Sequence, residues 1–490
     1  MLFNTIEFVI FFTVVCASLV LFKLKQFQII ILLVSSYFFF YYTSNYLITL
    51  LLFTTIWNYY FAKIIWKSKN LKIKKYYLII NLAGSLGLLG VFKYADFGIE
   101  QFNSLAKYVG LSEIPYLEFI LPIGISFYTF QALSYTIDVY RGKLTPSKSF
   151  WEFALFVAFF PQLVAGPILR ASDFLPQLRE KMKISEAGTK LRQSLIHNSN
   201  LKFGITLMAF GFLKKMFFAD NIGPMVDEIF KFPFAHDSFV IIITTIAFGI
   251  QVYADFSAYS DIAIGAALIL GFKIPMNFNK PFFAISPSDF WRRWHISLST
   301  WVRDYLFNEI VFRKLNSDMV YVFGLIVTFF LLGLWHGAGW NFIIFGLLHG
   351  SYVAFEFIVR RKIPFLSNNR FFTSKIGIIF SILVTQYLIF LAFIPFRITD
   401  INEIFYVMEK FIILDINFSE IIPFVSSHKL PLSLMSLFMF LHFISYKNPN
   451  LLEKISKLPI TYWGIILGII LFSIVFFYSG NPSDFIYFRF

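Results

Sequence analysis

The sequence predicts an all-helical integral membrane protein that crosses the bilayer several times, and three observations support this class. Hydrophobic residues make up 58% of the 490 residues and charged residues only 14%, which leaves too little polar surface for a water-soluble fold of this size. Apolar runs recur along the whole chain, and many approach the roughly 20 residues that cross a bilayer core. The loops between the first runs alternate between basic and uncharged, as loops on opposite sides of a membrane do.

The apolar runs are predicted to be helices, because backbone groups in lipid must find their hydrogen-bond partners within one segment. We expect about eleven full spans, together with shorter re-entrant and amphipathic helices. The apolar runs lie at 5–22, 27–43, 45–65, 77–92, 117–138, 151–168, 201–218, 238–254, 259–272, 319–335, 340–358, 375–395, 431–446 and 462–479.

The run 151–168 is predicted to be broken or re-entrant. The basic loop 63–75 and the uncharged loop before it place the N-terminus outside and the basic loops in the cytoplasm. If every run crossed, the basic stretch that begins at Arg170 would then lie outside. A run that does not cross removes this conflict, and Pro161 with the Gly-Pro pair near the end of the run favours a break.

The positive charge of the chain does not indicate a nucleic-acid partner. The sequence has 42 Lys and Arg against 28 Asp and Glu, a net charge of +14. Membrane proteins keep Lys and Arg in cytoplasmic loops and near anionic headgroups, which accounts for this excess. Cys16 is the only cysteine, so an intramolecular disulfide and a cysteine-based zinc cluster are excluded. We predict membrane lipid as a partner, and neither a metal site nor a bound cofactor.

The interval 275–318 differs from the rest because polar and aromatic residues mix through it and no run is long enough to cross. Ser286 is predicted to be an N-cap and Pro287 the first helical residue. The helix is expected to run through Tyr305, which would put His295 on one face with nearby arginines. Two interpretations stay open, an interfacial amphipathic helix and a mouth where an anionic donor meets these cations.

A second histidine, His336, follows the nearly pure apolar stretch 320–334 and is expected at membrane depth. An ionisable side chain there is costly and is by default a functional candidate. The alternative is a neutral imidazole that is hydrogen-bonded between helices. The glycines after it allow the backbone to bend and a substrate to approach. His349 would not share its face on an unbroken helix, and no carboxylate stands at zinc-ligand spacing from the two.

Two carboxylates, Asp255 and Asp261, stand at the end of an apolar run, on nearly opposite angles of a continuous helix. They are predicted to be helix-packing or gating groups, and contact with the reacting groups is the alternative. The sequence has no nucleophile elbow, P-loop or dinucleotide-binding glycine pattern. Acyl transfer needs none of these, because a neutral imidazole can take the proton of an attacking hydroxyl, with a contribution of roughly 10² to 10⁴ in rate.

The motifs resemble those of the membrane-bound O-acyltransferases, specifically the bacterial branch that includes alginate O-acetyltransferases and the D-alanyl transfer proteins of teichoic acid modification. They follow one another in the same order along the chain. The matching segments are Leu121–Gln131, Phe160–Pro167, Asp255–Asp261, Met276–Asn279, Phe290–Trp301 and Leu334–Trp340.

The resemblance implies a fold and a set of site residues. The fold would be a ring of about eleven tilted helices around a thin centre that a funnel enters from the cytoplasm. It implies that His336 is the essential catalytic residue and His295 its usual second. We divide the chain into N-terminal helices at 1–120, a catalytic core at 121–360 and C-terminal helices at 361–490. The residues expected to contact substrate are Arg292, Arg293, Asn279, Asp261 and Trp335.

The resemblance also implies a function. The donor would be a cytosolic acetyl thioester, acetyl-CoA, and the acetyl group would reach a cell-envelope or exported polysaccharide outside the bacterial cytoplasmic membrane. An extracytoplasmic acetyltransferase would be the partner. After Arg303, the alginate-type P-L-G-G-N-R motif is absent, which leaves the acceptor glycan open. The alternatives are D-alanyl transfer from a carrier protein to teichoic acid, a membrane transporter, and acylation of a secreted protein.

Overall fold

The computed structural model describes residues 2–22, 25–120, 122–183, 198–311, 317–363, 370–478 and 484–486. All regular structure in these residues is helical, which confirms the predicted all-helical class. The chain divides into two units, the first comprising Met1–Ile205 and Ile262–Pro275 and the second Thr206–Asp261 and Met276–Phe490. The sequence-based division at 120 and 360 follows motif content instead and stays a prediction.

The helices that begin in the first unit are α1 (Ile6–Leu21), α2 (Lys25–Ser44), α3 (Ile48–Lys67), α4 (Leu71–Val109), α5 (Ile125–Tyr140), α6 (Phe150–Ala158), α7 (Phe160–Leu163), α8 (Ala171–Lys183) and α9 (Asn198–Phe212). The predicted break in the run 151–168 is confirmed, because Phe159 leaves the helical conformation between α6 and α7. Leu121 of the first matching motif lies outside the described residues.

Two of the sequence motifs pack against each other in the first unit. The amide of Gln162 donates to Oε1 of Gln131 at 2.9 Å. Gly124 has a φ of 78°, and a Cβ on it would lie 2.6 Å from the carbonyl oxygen of Leu163. A glycine is required there both by the left-handed conformation and by this close approach. These motifs therefore build the scaffold of the first unit.

The helices that begin in the second unit are α10 (Asp220–Lys231), α11 (Ser238–Ile269), α12 (Pro287–Arg293), α13 (Ile296–Val302), α14 (Asn308–Val311), α15 (Asp318–His336), α16 (Trp340–Lys362), α17 (Arg370–Thr373), α18 (Lys375–Arg397), α19 (Ile401–Ile412), α20 (Phe418–Ser427), α21 (Lys429–Lys447), α22 (Leu451–Ser456) and α23 (Ile460–Phe476). Two stretches, Leu213–Ala219 and Arg303–Phe307, form wider π-helical turns.

Seven helical stretches within the described residues are long and apolar enough to cross a membrane, and α1 and α23 are shorter apolar helices. The protein is therefore a multi-pass membrane protein. The predicted count of eleven spans is not confirmed. One reason is that the runs predicted at 238–254 and 259–272 form the single helix α11.

α11 continues through its polar middle because both of its carboxylates are paired. Lys214 and Lys215 are neighbours on the π-helical turn Leu213–Ala219. Nζ of Lys214 lies 2.7 Å from the Asp261 carboxylate, and Nζ of Lys215 lies 2.9 Å from Asp255. Each pair neutralises a charge that would otherwise oppose burial of the helix.

The helix predicted from Ser286 through Tyr305 is interrupted, which corrects the sequence-based expectation. Its start is confirmed, because Oγ of Ser286 accepts from the backbone N–H of Asp289 at 3.2 Å and Pro287 is the first helical residue. The helix ends at Arg293, and His295 adopts the left-handed conformation with φ 44° and ψ 52° before α13 begins. His295 and the arginines therefore do not share one helical face.

Helices α15 and α16 form a closely packed hairpin. A Cβ on Gly333 would overlap the carbonyl oxygen of Phe342 and lie 3.1 Å from the Cα of Gly346. A Cβ on Gly346 would overlap the carbonyl oxygen of Phe329. The absence of side chains at these two positions lets the backbones meet. Small residues allow the same close approach between membrane helices in general. This contact fixes the end of α15, which carries His336.

Candidate functional site

His336 is the last residue of α15, at the turn that leads into α16. Only 6% of its surface is exposed, so the imidazole is buried within the second unit. Gly337 follows in an extended conformation, and a Cβ on it would overlap the ring of Phe342. The turn therefore passes directly over an aromatic side chain and holds His336 against the hairpin.

A small cavity of about 20 Å³ lies beside His336, with room for about one water molecule. The rings of Phe396 and Phe345 meet the imidazole edge to face at 5.1 and 5.5 Å between centroids. The other described residues that line the cavity are Val252, Phe256, Trp294, Phe393 and Ile486. Apart from His336 and the indole N–H of Trp294, the described lining is hydrophobic, so electrostatic interactions inside the cavity are strong.

His295 is held in its left-handed turn by Asn277. Oδ1 of Asn277 accepts from Nδ1 of His295 at 3.1 Å and from the hydroxyl of Ser297 at 2.9 Å. The carbonyl oxygen of Asn277 accepts from the backbone N–H of Ile296 at 2.8 Å. Its amide group donates to Ser260 at 3.2 Å. The backbone and side chain of Asn277 thus together fix the turn and the orientation of the His295 ring.

This hydrogen bond determines which nitrogen of His295 carries the proton. Because an amide oxygen only accepts, Nδ1 is protonated and Nε2 is the accepting nitrogen. Desolvation lowers the pKa of His295 well below its ordinary value. The ring is therefore neutral, as a group that accepts a proton or a hydrogen bond must be.

Trp335 connects the two histidines. Its ring centroid lies 5.0 Å from that of His336 and 6.0 Å from that of His295. Phe256 makes a second link, because it lines the His336 cavity and meets the ring of His295 at 4.7 Å. The structure thus brings His336, His295 and Trp335 together in one buried aromatic cluster.

The other predicted substrate residues lie elsewhere in the second unit. Arg292 is exposed, and Arg293 donates to Asp289 at 3.0 Å. Asn279 is exposed, and its backbone N–H donates to the carbonyl oxygen of Arg293 at 2.8 Å. Asp261 binds Lys214. None of these four is among the described residues that line the His336 cavity.

The sequence did not identify two contributors to the site. Asn277 stands in the motif Met276–Asn279, but the motif alone does not tell which asparagine is buried. Ile486 lines the cavity from a distant part of the chain, and no local pattern indicates this contact. Within the described ranges, no cluster of three or more His, Cys, Asp or Glu side chains could hold a metal ion.

His349 has a structural role in the second unit. It is completely buried in α16, and its Nδ1 accepts from the indole N–H of Trp291 at 3.3 Å. Its ring packs against Phe345 at 4.6 Å between centroids. His349 therefore joins α16 to α12, as a buried histidine with a structural partner does.

The arrangement suits general-base chemistry on an uncharged group. An unprotonated imidazole at the edge of an apolar cavity can take a proton from a hydroxyl, and the small volume and aromatic walls leave little room for competing water. A second neutral histidine nearby can accept a hydrogen bond through Nε2. The site offers the same chemistry that the motifs imply.

Comparison with known proteins gives a consistent result. Residues 141–394 match the model of the membrane-bound O-acyltransferase family. The probable alginate O-acetylase AlgI of Azotobacter vinelandii is 40% identical over 290 residues, which cover 58% of this chain and 54% of the relative. The peptidoglycan O-acetyltransferase of Helicobacter pylori is 36% identical over 325 residues, covering 61% and 59%.

A third relative is more distant. The teichoic acid D-alanyltransferase of Bacillus subtilis is 30% identical over 284 residues, covering 56% of this chain and 68% of the relative. The chain matches about half to two thirds of the length of these curated relatives. The matches confirm the resemblance on which the site was predicted: this chain belongs to the membrane-bound O-acyltransferase family.

Proposed function

We propose that the protein is a membrane O-acetyltransferase that takes an acetyl group from a cytosolic thioester, acetyl-CoA, and passes it across the bacterial cytoplasmic membrane. The final acceptor is a cell-envelope or exported polysaccharide. The observation that carries the proposal is the meeting of His336 and His295 at Trp335, beside an apolar cavity. The alginate and peptidoglycan relatives support the choice of acyl group and acceptor class.

In the proposed reaction, His336 acts as the general base. Its imidazole takes the proton of the acceptor hydroxyl while the oxygen attacks the thioester carbonyl carbon. The tetrahedral intermediate collapses, the C–S bond breaks, and the thiolate takes the proton from the imidazolium. The products are the acetyl ester and coenzyme A, and His336 returns to its neutral form. An acetyl-histidine intermediate is the alternative route.

The cavity beside His336 supports acetyl over D-alanyl as the transferred group. A D-alanyl ester carries an ammonium group, and burial of that charge without a carboxylate partner is costly. The described residues that line the cavity include no carboxylate. Its small volume also disfavours a long fatty acyl chain. The similarity to a D-alanyltransferase keeps D-alanyl transfer as the second candidate.

Delivery to the polysaccharide completes the proposal. The hydroxyl that attacks at His336 belongs to the partner acetyltransferase, which then transfers the acetyl group from its own ester to a hydroxyl of the glycan on the extracytoplasmic side. The names of the relatives support a polysaccharide acceptor. Membership of an acyltransferase family favours this function over transport.

The test uses membranes of the source bacterium, which contain the full chain together with its partner acetyltransferase, and adds labelled acetyl-CoA and envelope polysaccharide. The polysaccharide is expected to gain label, and His336→Ala is expected to lower the rate by roughly 10² to 10⁴. His349→Gln is the matched control, because it changes a buried histidine on the next helix that does not line the cavity. Unchanged labelling in His336→Ala would overturn the role of this residue.

Two further measurements separate the alternatives. If transfer requires a D-alanyl carrier protein and does not occur with acetyl-CoA, the carrier protein is the donor in place of acetyl-CoA. Denatured wild-type protein that keeps a label, which hydroxylamine then releases, would indicate an acetyl-histidine intermediate in place of general-base catalysis. The His336→Ala protein would carry no such label.

A further inference from the structure

The second unit contains a buried ion pair that the proposed reaction does not use. Nζ of Lys215 lies 2.9 Å from the carboxylates of both Asp255 and Asp220. The side chains of Lys215 and Asp255 are 8% and 2% exposed. Removing such charges from water is expensive, and an apolar pair of similar volume is often at least as stable. The pair therefore calls for a role beyond stability.

This pair also forms hydrogen bonds to the backbone of Asp484–Ile486. Oδ2 of Asp255 accepts from the N–H of Ile486 at 2.6 Å, and Nζ of Lys215 donates to the carbonyl oxygen of Asp484 at 3.2 Å. Bonds between charged groups and backbone are the stronger class of hydrogen bond. An anion and a cation thus hold three consecutive residues at two points.

The side chains of this segment pack toward the histidine cluster. Phe485 and Ile486 are 4% and 6% exposed. The ring of Phe485 lies 4.8 Å from that of Tyr259 and 5.8 Å from that of Phe256. Phe256 in turn contacts His295. The segment is therefore part of the same buried cluster as the candidate catalytic residues.

Ile486 separates two cavities of opposite character. It lines the apolar cavity of His336. It also lines a polar cavity of about 140 Å³, large enough for several waters. That second cavity includes Lys215, Asp220, Asp227, Gln251 and Asp255 in its lining. Among the described residues, Ile486 alone lines both.

We propose that Lys215 and Asp255 are positioning residues for acyl transfer, which hold Asp484–Ile486 so that Ile486 closes the His336 cavity against the polar cavity. This inference rests on the proposed function. With Ile486 in place, the thioester at His336 meets only the acceptor hydroxyl. With the segment released, water from the polar cavity reaches the thioester carbonyl, and hydrolysis yields acetate and coenzyme A.

The decisive measurement is the ratio of acetate release to acetyl transfer, with acetyl-CoA as the donor. Asp255→Asn and the double variant Lys215→Met/Asp255→Leu are expected to raise this ratio by roughly tenfold. The double variant leaves no unpaired lysine in the interior, and Asp220, the carboxylate that loses Lys215, is 14% exposed and lines the polar cavity, where water can solvate it. The control is Lys410→Met/Asp415→Asn, which removes a Lys–Asp pair from α19 and its following loop and is expected to leave the ratio unchanged.

A purely structural role would lower both reactions in parallel and leave the ratio constant, which would overturn the proposal. The charge-reversed variant Lys215→Asp/Asp255→Lys sharpens this comparison, and it is made together with Asp220→Asn so that the new aspartate faces no second carboxylate. It keeps an ion pair, but an aspartate cannot donate to the carbonyl oxygen of Asp484 and a lysine cannot accept from Ile486. We expect its ratio to stay raised, and a return to the wild-type ratio would contradict the positioning role.

A second measurement does not depend on acyl transfer. In a Cys16→Ser background, Ile486→Cys places a single thiol at the wall, since Cys16 is the only cysteine. Maleimide is expected to label it slowly when Lys215 and Asp255 are present and roughly tenfold faster in the double variant. Equal rates would overturn the proposal, even in a protein that transfers acetyl. Absence of transfer with the expected labelling would instead count against the proposed function.

Discussion

Oδ1 of Asn277 and Nδ1 of His295 lie 3.1 Å apart. This hydrogen bond holds a turn in which His295, a non-glycine residue, has a positive φ. The same oxygen binds Ser297. Partners of this type determine the tautomer and orientation of a functional histidine. Asn277 therefore controls how His295 faces Trp335 and the cavity beyond it.

Asn277→Ala is expected to lower the acetyl-transfer kcat by roughly 10- to 100-fold, the range known for residues that orient a metal-bound histidine, with a smaller change in KM for acetyl-CoA. Asn58→Ala is the matched control. Asn58 is a buried asparagine of the first unit that bonds Ser85 and Thr136, so its loss should reduce stability and spare kcat. An equal fall of kcat in both variants would mean that only folding was affected.

Gly346→Ala is expected to disturb the hairpin that carries His336. The new Cβ would overlap the carbonyl oxygen of Phe329, and overpacking of this kind costs about 1–3 kcal/mol. We expect lower thermal stability in detergent together with slower acetyl transfer. Gly464→Ala and Gly468→Ala on α23 have open space around the new Cβ and should be neutral or slightly stabilising. A Gly346→Ala protein of wild-type stability would contradict the close packing.

Acid should destabilise the protein partly through His295. Desolvation lowers its pKa in the folded state, while the unfolded value is about 6.5. The unfolded chain therefore binds the proton more readily, and the free energy of unfolding contributed by this residue falls as the pH drops below about 6.5. Thermal unfolding at pH 7.5 and 5 should show a smaller difference in Tm for His295→Gln than for the wild type. An identical difference would contradict a neutral, desolvated ring.

At position 335, stability and transfer rate should depend more on the size of the side chain than on the indole N–H. Trp335→Ala removes the ring that contacts both histidines and is expected to cost about 3–5 kcal/mol of stability. Trp335→Phe keeps an aromatic face and should retain most of the stability and a measurable transfer rate. Comparison of Tm and initial rates for the two variants checks this. Loss of all transfer in Trp335→Phe, with normal folding, would indicate that the indole N–H is required.

Features with a strong local cause were predictable. Ser286 and Pro287 begin α12 as expected because capping depends only on neighbouring residues. His336 was identified by its place after an apolar stretch. The break before His295 could not be predicted, since no glycine or proline stands there and Asn277, eighteen positions away, stabilises the turn.

Contacts between distant parts of the chain were also beyond the sequence. α11 was predicted as two pieces because Asp255 and Asp261 interrupt its apolar pattern, and only their lysine partners explain its continuity. Ile486 lies 231 positions from Asp255. Periodicity describes one segment at a time, so it carries no information about such a meeting.

The contact between Gly333 and Gly346 determines which wall of the cavity can yield. The backbones of α15 and α16 already touch there, and close-packed surfaces resist further compression. His336 belongs to this rigid hairpin, as the last residue of α15. Room for an acetyl group must therefore come from displacement of the opposing side chains Phe393 and Phe396 on α18, so loading of the donor deforms the far wall and leaves the histidine stationary.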